Sequence, residues 1–430
     1  MFFLSSTNIL TEHDASKVTW ELFPKTEHGL PPPRLPAGDT TRNIEEAHVL
    51  PLISSQGFVM IGRTTSGYLA AAHTASATGA DGWSATDYAQ YADVSDPTRP
   101  LSQSNTSFGG LAAGLKNPRG PITAKNFGGA DRWLLIYYNN NGKSYDVDGA
   151  AVAAPYCPGC NRNPYFLSAG WEVNGTILWS QPEVAIFGRG VPERPGYPDF
   201  ITSGGKVWIT ETQKTTARIH LIPPDLLEAL FNQRSNAQWA VRGLLAYLKP
   251  GQAMTKLPTW ANLSRAVDDV STPRGAGFSI EATLTRMSEA EAAAAARGGQ
   301  RVVFDARPGV LLALNTSTGA VTLTLTDDAM PAMTASLRTD PVCSAALKCA
   351  GSRHHVVAVV DASALLLRVF VDGVSCDGGG VLTAGWSMFA PLAGALRSAS
   401  ASAGASAEIR VYDRALLASE VVGNFRASTA

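Results

Sequence analysis

The chain has 430 residues, 45% of them hydrophobic and 17% charged, and its 35 Lys and Arg against 36 Asp and Glu leave a formal net charge of -1. That length allows two or three domains with a large core. The near-neutral balance offers no basic field to gather a polyanion, so no nucleic-acid partner is expected. No apolar run approaches the roughly 18 residues that a membrane span needs. The opening from Met1 to Asp14 lacks the basic flank and apolar stretch of a signal peptide. An extracellular or secretory location is therefore expected only if a longer parent carries such a signal.

Residues 1–222 read as β throughout. Short apolar runs such as GFVMIGR, DRWLLIYYNN, GTILWS, PEVAIFG and KVWITET alternate with Gly, Asn and Pro turns. Their spacing of about 8–12 residues suits a sandwich, barrel or propeller. Helical spacing first appears in PPDLLEALFNQ and NAQWAVRGLLAYLK, opened by Pro223 and Pro224. Residues 223–274 are thus expected to be a helical connector and linker. Strand patterning returns over 275–430 in FSIEATL, RVVFDAR, GVLLALN, AVTLTLT, HHVVAVVD, LLLRVFVDG and AEIRVYDRAL, with one helical interruption at SEAEAAAAA.

The 5 cysteines form no zinc-finger spacing. Cys157 and Cys160 lie in a proline-rich loop rather than at a helix start, so a loop staple or two free thiols is read there, not a redox motif. Two of Cys343, Cys349 and Cys376 can pair. Sequons stand at Asn105, Asn174, Asn262 and Asn315. No metal site and no cofactor is expected; Asp327–Asp328 is the only hint of an oxygen-ligand cluster.

Three stretches resemble the Asp-box turns of sialidase-superfamily β-propellers: EHDASKVTW with Asp14 and Trp20, ASATGADGWS with Asp81 and Trp83, and LSAGWEVNGTILWS ending at Trp179. The string EEAHVLPLISSQGFVMIGRT resembles the Glu–strand–turn–strand–Arg order of that family at Glu46 and Arg63. NRNPYFLSAGW resembles its later Arg-led blade at Arg162, and PGYPDFITSGGKVWITE its Tyr at Tyr197, with Pro198 where Ser is common in the family. The resemblance implies exo-cleavage of a terminal acidic sugar, with retention, through a tyrosyl intermediate. Sialic acid carries a carboxylate beside its anomeric carbon, which repels a carboxylate nucleophile, so a Tyr serves instead. A phenol needs a neighbouring base as it attacks. Tyr197 would be the nucleophile, Glu46 its base, and Arg63 and Arg162 the planar cationic forks for the carboxylate.

Arg119, Asp199 and Glu211 are further substrate-binding candidates; Arg189, Arg194 and Lys214 lie nearby in sequence. Asp199 and Glu211 also fit a propeller hydrolase of other specificity that works with carboxylates. Taken singly, Arg63 also fits a surface salt bridge, Tyr197 a core plug, Glu46 a solvated strand entry and His73 a rim histidine. The family's first blade supplies another Arg and an acid/base Asp, and residues 1–45 show no matching pattern. Roughly four or five blades are expected in 1–222, short of the family's six.

Residues 275–430 resemble a concanavalin-like, laminin-G-type jelly roll, most specifically at AEIRVYDRALLASEV. The resemblance implies a hairpin turn at Asp372–Gly373, a last strand locked by Tyr412 and Arg414, and a terminal helical turn. The expected architecture is all-β: a propeller at 1–222, the connector at 223–274 and the jelly roll at 275–430. The expected partner is a glycan or glycoconjugate. A catalytically inactive carbohydrate-binding or adhesion protein is the alternative.

Overall fold

The computed structural model describes residues 1–33, 43–65, 67–101, 114–117, 120–139, 144–145, 151–152, 164–187, 196–213, 216–255, 276–284, 293, 297, 299–315, 319–326, 334–341, 353–375, 386–388, 400–405 and 407–429. The protein is all-β, with helices α1 (Pro224–Asn232) and α2 (Ala418–Thr429) among the described residues. None of these helices is long and apolar enough to cross a membrane.

Three antiparallel meanders follow one another in the first half. The first runs Ile44–Pro51, Phe58–Thr64, Leu69–Thr74 and Asp87–Tyr88. The second runs Thr123–Asn126, Trp133–Tyr137, Tyr165–Val173 and Thr176–Trp179. Its last hairpin closes through Asn174 and Gly175, both at positive φ, as a two-residue turn between antiparallel strands requires. The third runs Asp199–Ser203, Lys206–Gln213 and Thr216–Leu221.

The alternation of side chains stacks these sheets. In WLLIY, Trp133, Leu135 and Tyr137 join a core with Val59, Ile61 and Leu69 of the first meander. Leu134 and Ile136 point the other way, into a core with Phe200, Val207 and Ile209 of the third and with Leu226 and Leu230 of α1. A strand buried on both faces reads as an unbroken apolar run for this reason. The far face of the first meander, at Met60 and Ala72, is covered by Met1, Phe3, Leu30 and Trp83. Among the described residues a further two-stranded pair joins Ser144–Tyr145 and Ala151–Val152. Residues 1–30 supply only the two-stranded pair Phe3–Ser5 and Glu21–Phe23, and residues 90–92 make isolated bridges rather than a new meander.

In the second half two sheets face each other. One orders Leu244–Leu248, Ala407–Tyr412, Gly277–Leu284, His354–Asp361, Leu366–Val371 and Val374–Ser375; the other orders Ala253–Met254, Ala401–Ala403, Gln300–Ala306, Val310–Asn315, Ala320–Thr326 and Thr334–Pro341. Phe278, Ile280, Ala282 and Leu284 alternate into the shared core against Phe304, Leu312 and Leu323. Asp372 and Gly373 hold positive φ and turn the expected hairpin. The stretch NAQWAVRGLLAYLK departs from its expected helix. Only the preceding PDLLEALFN is helical; Gly243 at φ 73 breaks the run, and Leu244–Leu248 pairs with the last strand. Ala246 and Leu248 face the core two residues apart, a strand period that the dense apolar run disguised as a helical one. The SEAEAAAAA stretch lies almost wholly outside the described residues, as do all five cysteines, Asn105, Asn262 and Asp327–Asp328.

The other face of the first of these two sheets carries a buried polar group under α2. Glu281 accepts from the Tyr412 hydroxyl at 2.9 Å and the Asn424 amide at 2.8 Å, and sits 2.8 Å from His355 Nε2. Burial, then the Glu281 charge, push the Tyr412 hydroxyl above its ordinary range. Arg414 holds Glu420 of α2 through two hydrogen bonds, at 2.7 and 2.6 Å.

The two halves interlock. Leu366 enters the core between the first two meanders. Arg368, on the same strand, donates to the Pro182 carbonyl at 2.5 Å and lies 3.6 Å from the Glu183 carboxylate. Glu183 also accepts from the Ser419 amide at 3.1 Å. Both ends of this ion pair are buried, so losing one leaves the other charge uncompensated. Glu183→Gln is expected to lower unfolding free energy by about 3 kcal/mol, read from urea denaturation, with no change for an exposed control such as Glu27→Gln.

Glu172 fastens the 52–57 turn of the first meander to the second. Its carboxylate accepts from the amides of Ile53 and Ser54 at 2.8 and 2.7 Å, from the Ser54 hydroxyl, and from Trp133 Nε1 at 3.0 Å. Burial pushes this carboxyl up, but the Ser54, Ile53 and Trp133 hydrogen bonds outweigh it and leave the value below the ordinary 4.5. A carboxyl depressed in the folded state stabilises fully above its unfolded value and loses that contribution as pH falls through the folded one. The wild type is therefore expected to lose its Tm advantage over Glu172→Gln on acidification below about pH 4.5, measured by thermal melts across pH 3–7.

Candidate functional site

Arg63 ends the strand Phe58–Thr64, opposite Glu45 in the ladder. Between Glu45 and His48 the register slips, and the irregularity turns Glu46 into the left-handed region at φ 48. Both acids thereby reach one guanidinium: Arg63 Nη2 lies 2.8 Å from Glu46 and 3.1 Å from Glu45. Arg63 is buried, while Glu46 is partly open. Of the readings for Arg63, the salt bridge is real, though buried rather than on the surface.

Tyr197 lies two residues before the first strand of the third meander, Asp199–Ser203. It is 60% exposed, so it is not a core plug. Its φ is 45, and Glu46 shares that left-handed conformation. Six non-glycine residues among those described hold φ between 45 and 53; three are Asn or Asp, which tolerate it, and the others are Glu46, Tyr197 and Leu365. Such backbone persists only where the surroundings impose it, and it gathers at functional sites.

Hydrogen bonds join these places. His48 Nε2 lies 2.9 Å from the Ile122 carbonyl, and the Thr123 hydroxyl donates to the Pro198 carbonyl at 2.6 Å. The start of the second meander's first strand thus bridges the first strand of the first meander and the entry to that of the third, with Glu46 two residues from His48 and Tyr197 adjacent to Pro198. Lys125 donates to the Phe200 carbonyl at 2.8 Å and extends the seam. Sequence reading missed Glu45, His48, Thr123 and Lys125. The doublet Glu45–Glu46 opposite an Arg was the available signal for the first.

The remaining candidates divide. Asp199 is exposed and accepts from the amide of Phe200 at 2.7 Å. Glu211 is buried, 3.2 Å from Arg218 Nη1 and 3.6 Å from His220 Nε2. In the ladder, Asp199 pairs with Thr210, so Asp199 and Glu211 face opposite sides of the sheet and do not make a carboxylate pair. Among the described residues the Tyr197 hydroxyl makes no hydrogen bond, to Glu46 or otherwise. Arg162, Arg119, Arg189, Arg194 and Lys214 lie outside the described residues. His73 is half-buried in the strand Leu69–Thr74, with its amide bonded to Ser84. Of the three Asp-box-like turns, Asp14 caps a short turn through Ser16 while Trp20 stays exposed; Trp83 donates to the Gly79 carbonyl and packs on Phe3; Trp179 is buried. No cluster of three metal-ligating side chains occurs among the described residues.

Arg63 is expected to matter for folding as well. Arg63→Met removes the guanidinium that both Glu45 and Glu46 face, and a loss of about 2 kcal/mol is expected in urea denaturation. A Glu45→Gln, Arg63→Met double variant is expected to recover part of it, because one of the like charges is gone.

No family model and no curated protein matches the chain. Among solved structures, Trypanosoma rangeli sialidase in complex with the inhibitor DANA is 12% identical at a TM-score of 0.28, over 97% of this chain and 65% of that one. The same sialidase as a covalent intermediate with 2,3-difluorosialic acid gives 12% and 0.26, over 96% and 65%. The CBM40 domain of Ruminococcus gnavus IT-sialidase bound to alpha2,6 sialyllactose is 11% identical at a TM-score of 0.25, over 43% of this chain and 100% of that domain. The chain thus spans 65% of the length of the trypanosomal sialidase chains it matches. At TM-scores this low the reading of the site rests on its own side chains.

Proposed function

We propose that this chain recognises a terminal acidic sugar where the first strands of the three meanders are joined, and that the site is of sialidase type. One observation carries the reading: Glu46 and Tyr197, far apart in sequence, are both held in left-handed backbone close to strands that the second meander bridges. In the reaction such a site performs, the Tyr197 oxygen attacks the anomeric carbon while Glu46 takes the phenolic proton. The glycosidic bond breaks and the aglycone leaves as its alcohol with a proton taken from solvent, which the attacking water of the second step returns. Water then attacks the glycosyl–tyrosine bond and Tyr197 recovers its proton, so the anomeric configuration is retained. On this reading the meanders are blades of a β-propeller and the facing sheets a concanavalin-like unit, in a protein that acts outside the cell.

A second reading, glycan binding without turnover, has its own support. Arg63 is occupied by two carboxylates, which together outweigh its charge, and Tyr197 is not bonded to its base. Catalytic hydrogen bonds often tighten only around substrate, so this geometry does not exclude the first reading.

Hydrolysis of a fluorogenic α-sialoside separates the two. The enzymatic reading expects turnover that falls at least about 100-fold in Tyr197→Phe, with sialyllactose binding kept. Equal rates in wild type and Tyr197→Phe would sink the nucleophile. Sialyllactose binding that both proteins share, without turnover, would establish the second reading.

A further inference from the structure

A cleft of about 600 Å³ opens where one face of α1 meets the start of α2 and residues 235–242. None of its lining residues belongs to the Glu46, Arg63 and Tyr197 site. Its walls are fixed by contacts already made. Arg414 grips Glu420 and donates to the Arg242 carbonyl at 2.9 Å; Asn236 donates to the Ser419 carbonyl at 3.2 Å; Glu228 is held by Arg132 at 3.1 Å. Between these walls, the side chains of Asn232, Ser235, Gln238 and Arg242 are engaged by no other described residue.

The chemistry of that lining selects a ligand class. Two amides and a hydroxyl each donate and accept, and the free guanidinium adds a planar set of donors. A row of sugar hydroxyls presents the same two roles on one edge. By count the charges balance: Arg414 grips Glu420, Arg132 holds Glu228, and Asp225 and Arg242 add one charge of each sign to the lining. A strongly charged ligand would gain little there. Apolar lining is confined to Ala229, Ala237 and Leu417, so a hydrophobic ligand would gain little either. The volume lies within the range that small-molecule clefts occupy.

We propose that this cleft is a binding site for a short, uncharged, hydroxyl-rich ligand, a mono- or disaccharide, held by Asn232, Ser235, Gln238 and Arg242. With no aromatic face to stack on, affinity is expected in the millimolar range, and the preformed walls keep it from being weaker.

Saturation-transfer NMR on the full chain tests this with galactose, maltose, lactose and N-acetylglucosamine, alongside 3′-sialyllactose. At least one neutral sugar is expected to bind with a dissociation constant of about 1–10 mM. Asn232→Ala combined with Gln238→Ala, both exposed positions, is expected to weaken it about tenfold. Tyr197→Phe should leave it unchanged, which separates this cleft from the strand-start site. Silence of all four neutral sugars, or undiminished binding by the double variant, would each overturn the proposal.

Discussion

A sheet that is apolar on both faces has to be covered on both. The strand Trp133–Tyr137 imposes that condition on the first half of the molecule. Its odd-numbered side chains demand one partner sheet and its even-numbered ones another. Burying a large apolar side chain is worth about 1.5–3 kcal/mol, and five consecutive buried residues leave the middle meander no alternative but a central place. The flanking sheets are thereby fixed in order, and their first strands are bridged by that of the middle meander. The candidate site is a by-product of that stacking, for no single meander contains both Glu46 and Tyr197.

The second half is bound to this stack by polar contacts as well as apolar ones. Leu366 fills the seam between two meanders, and Arg368 brings a buried cation to a carbonyl and a carboxylate beyond it. Burial pushes the Arg368 guanidinium down from its ordinary value, although the Glu183 charge opposes this. A pairing of this kind adds little net stability over an apolar substitute but tolerates few arrangements. Arg426 works similarly from α2, donating to the Val94 carbonyl at 2.6 Å and the Gln233 carbonyl at 2.5 Å.

Much of this was legible from residues alone. The β character of both halves, the Asn174–Gly175 and Asp372–Gly373 turns and α1 follow from periodicity and turn chemistry. Glu46 and Arg63 are joined because a short hairpin lies between them. What was not legible is what depends on distant partners. Leu244–Leu248 looks helical until the last strand offers an edge to pair with. The left-handed backbone at Glu46 and Tyr197 leaves no trace in composition, since Glu and Tyr are not residues that favour it.

The enclosure of Glu281 has a consequence for how the protein can be shortened. That carboxylate relies on Asn424 from α2 and on Tyr412 from the strand beneath it, and the helix also roofs Val357, Val359 and Phe370. The terminal helix is therefore a lid on a charge rather than a tail. Clipping it away by proteolysis would admit solvent to the underside of the sandwich and would also strip the first half of its Arg426 tether, so damage at one extremity would be felt across the whole molecule.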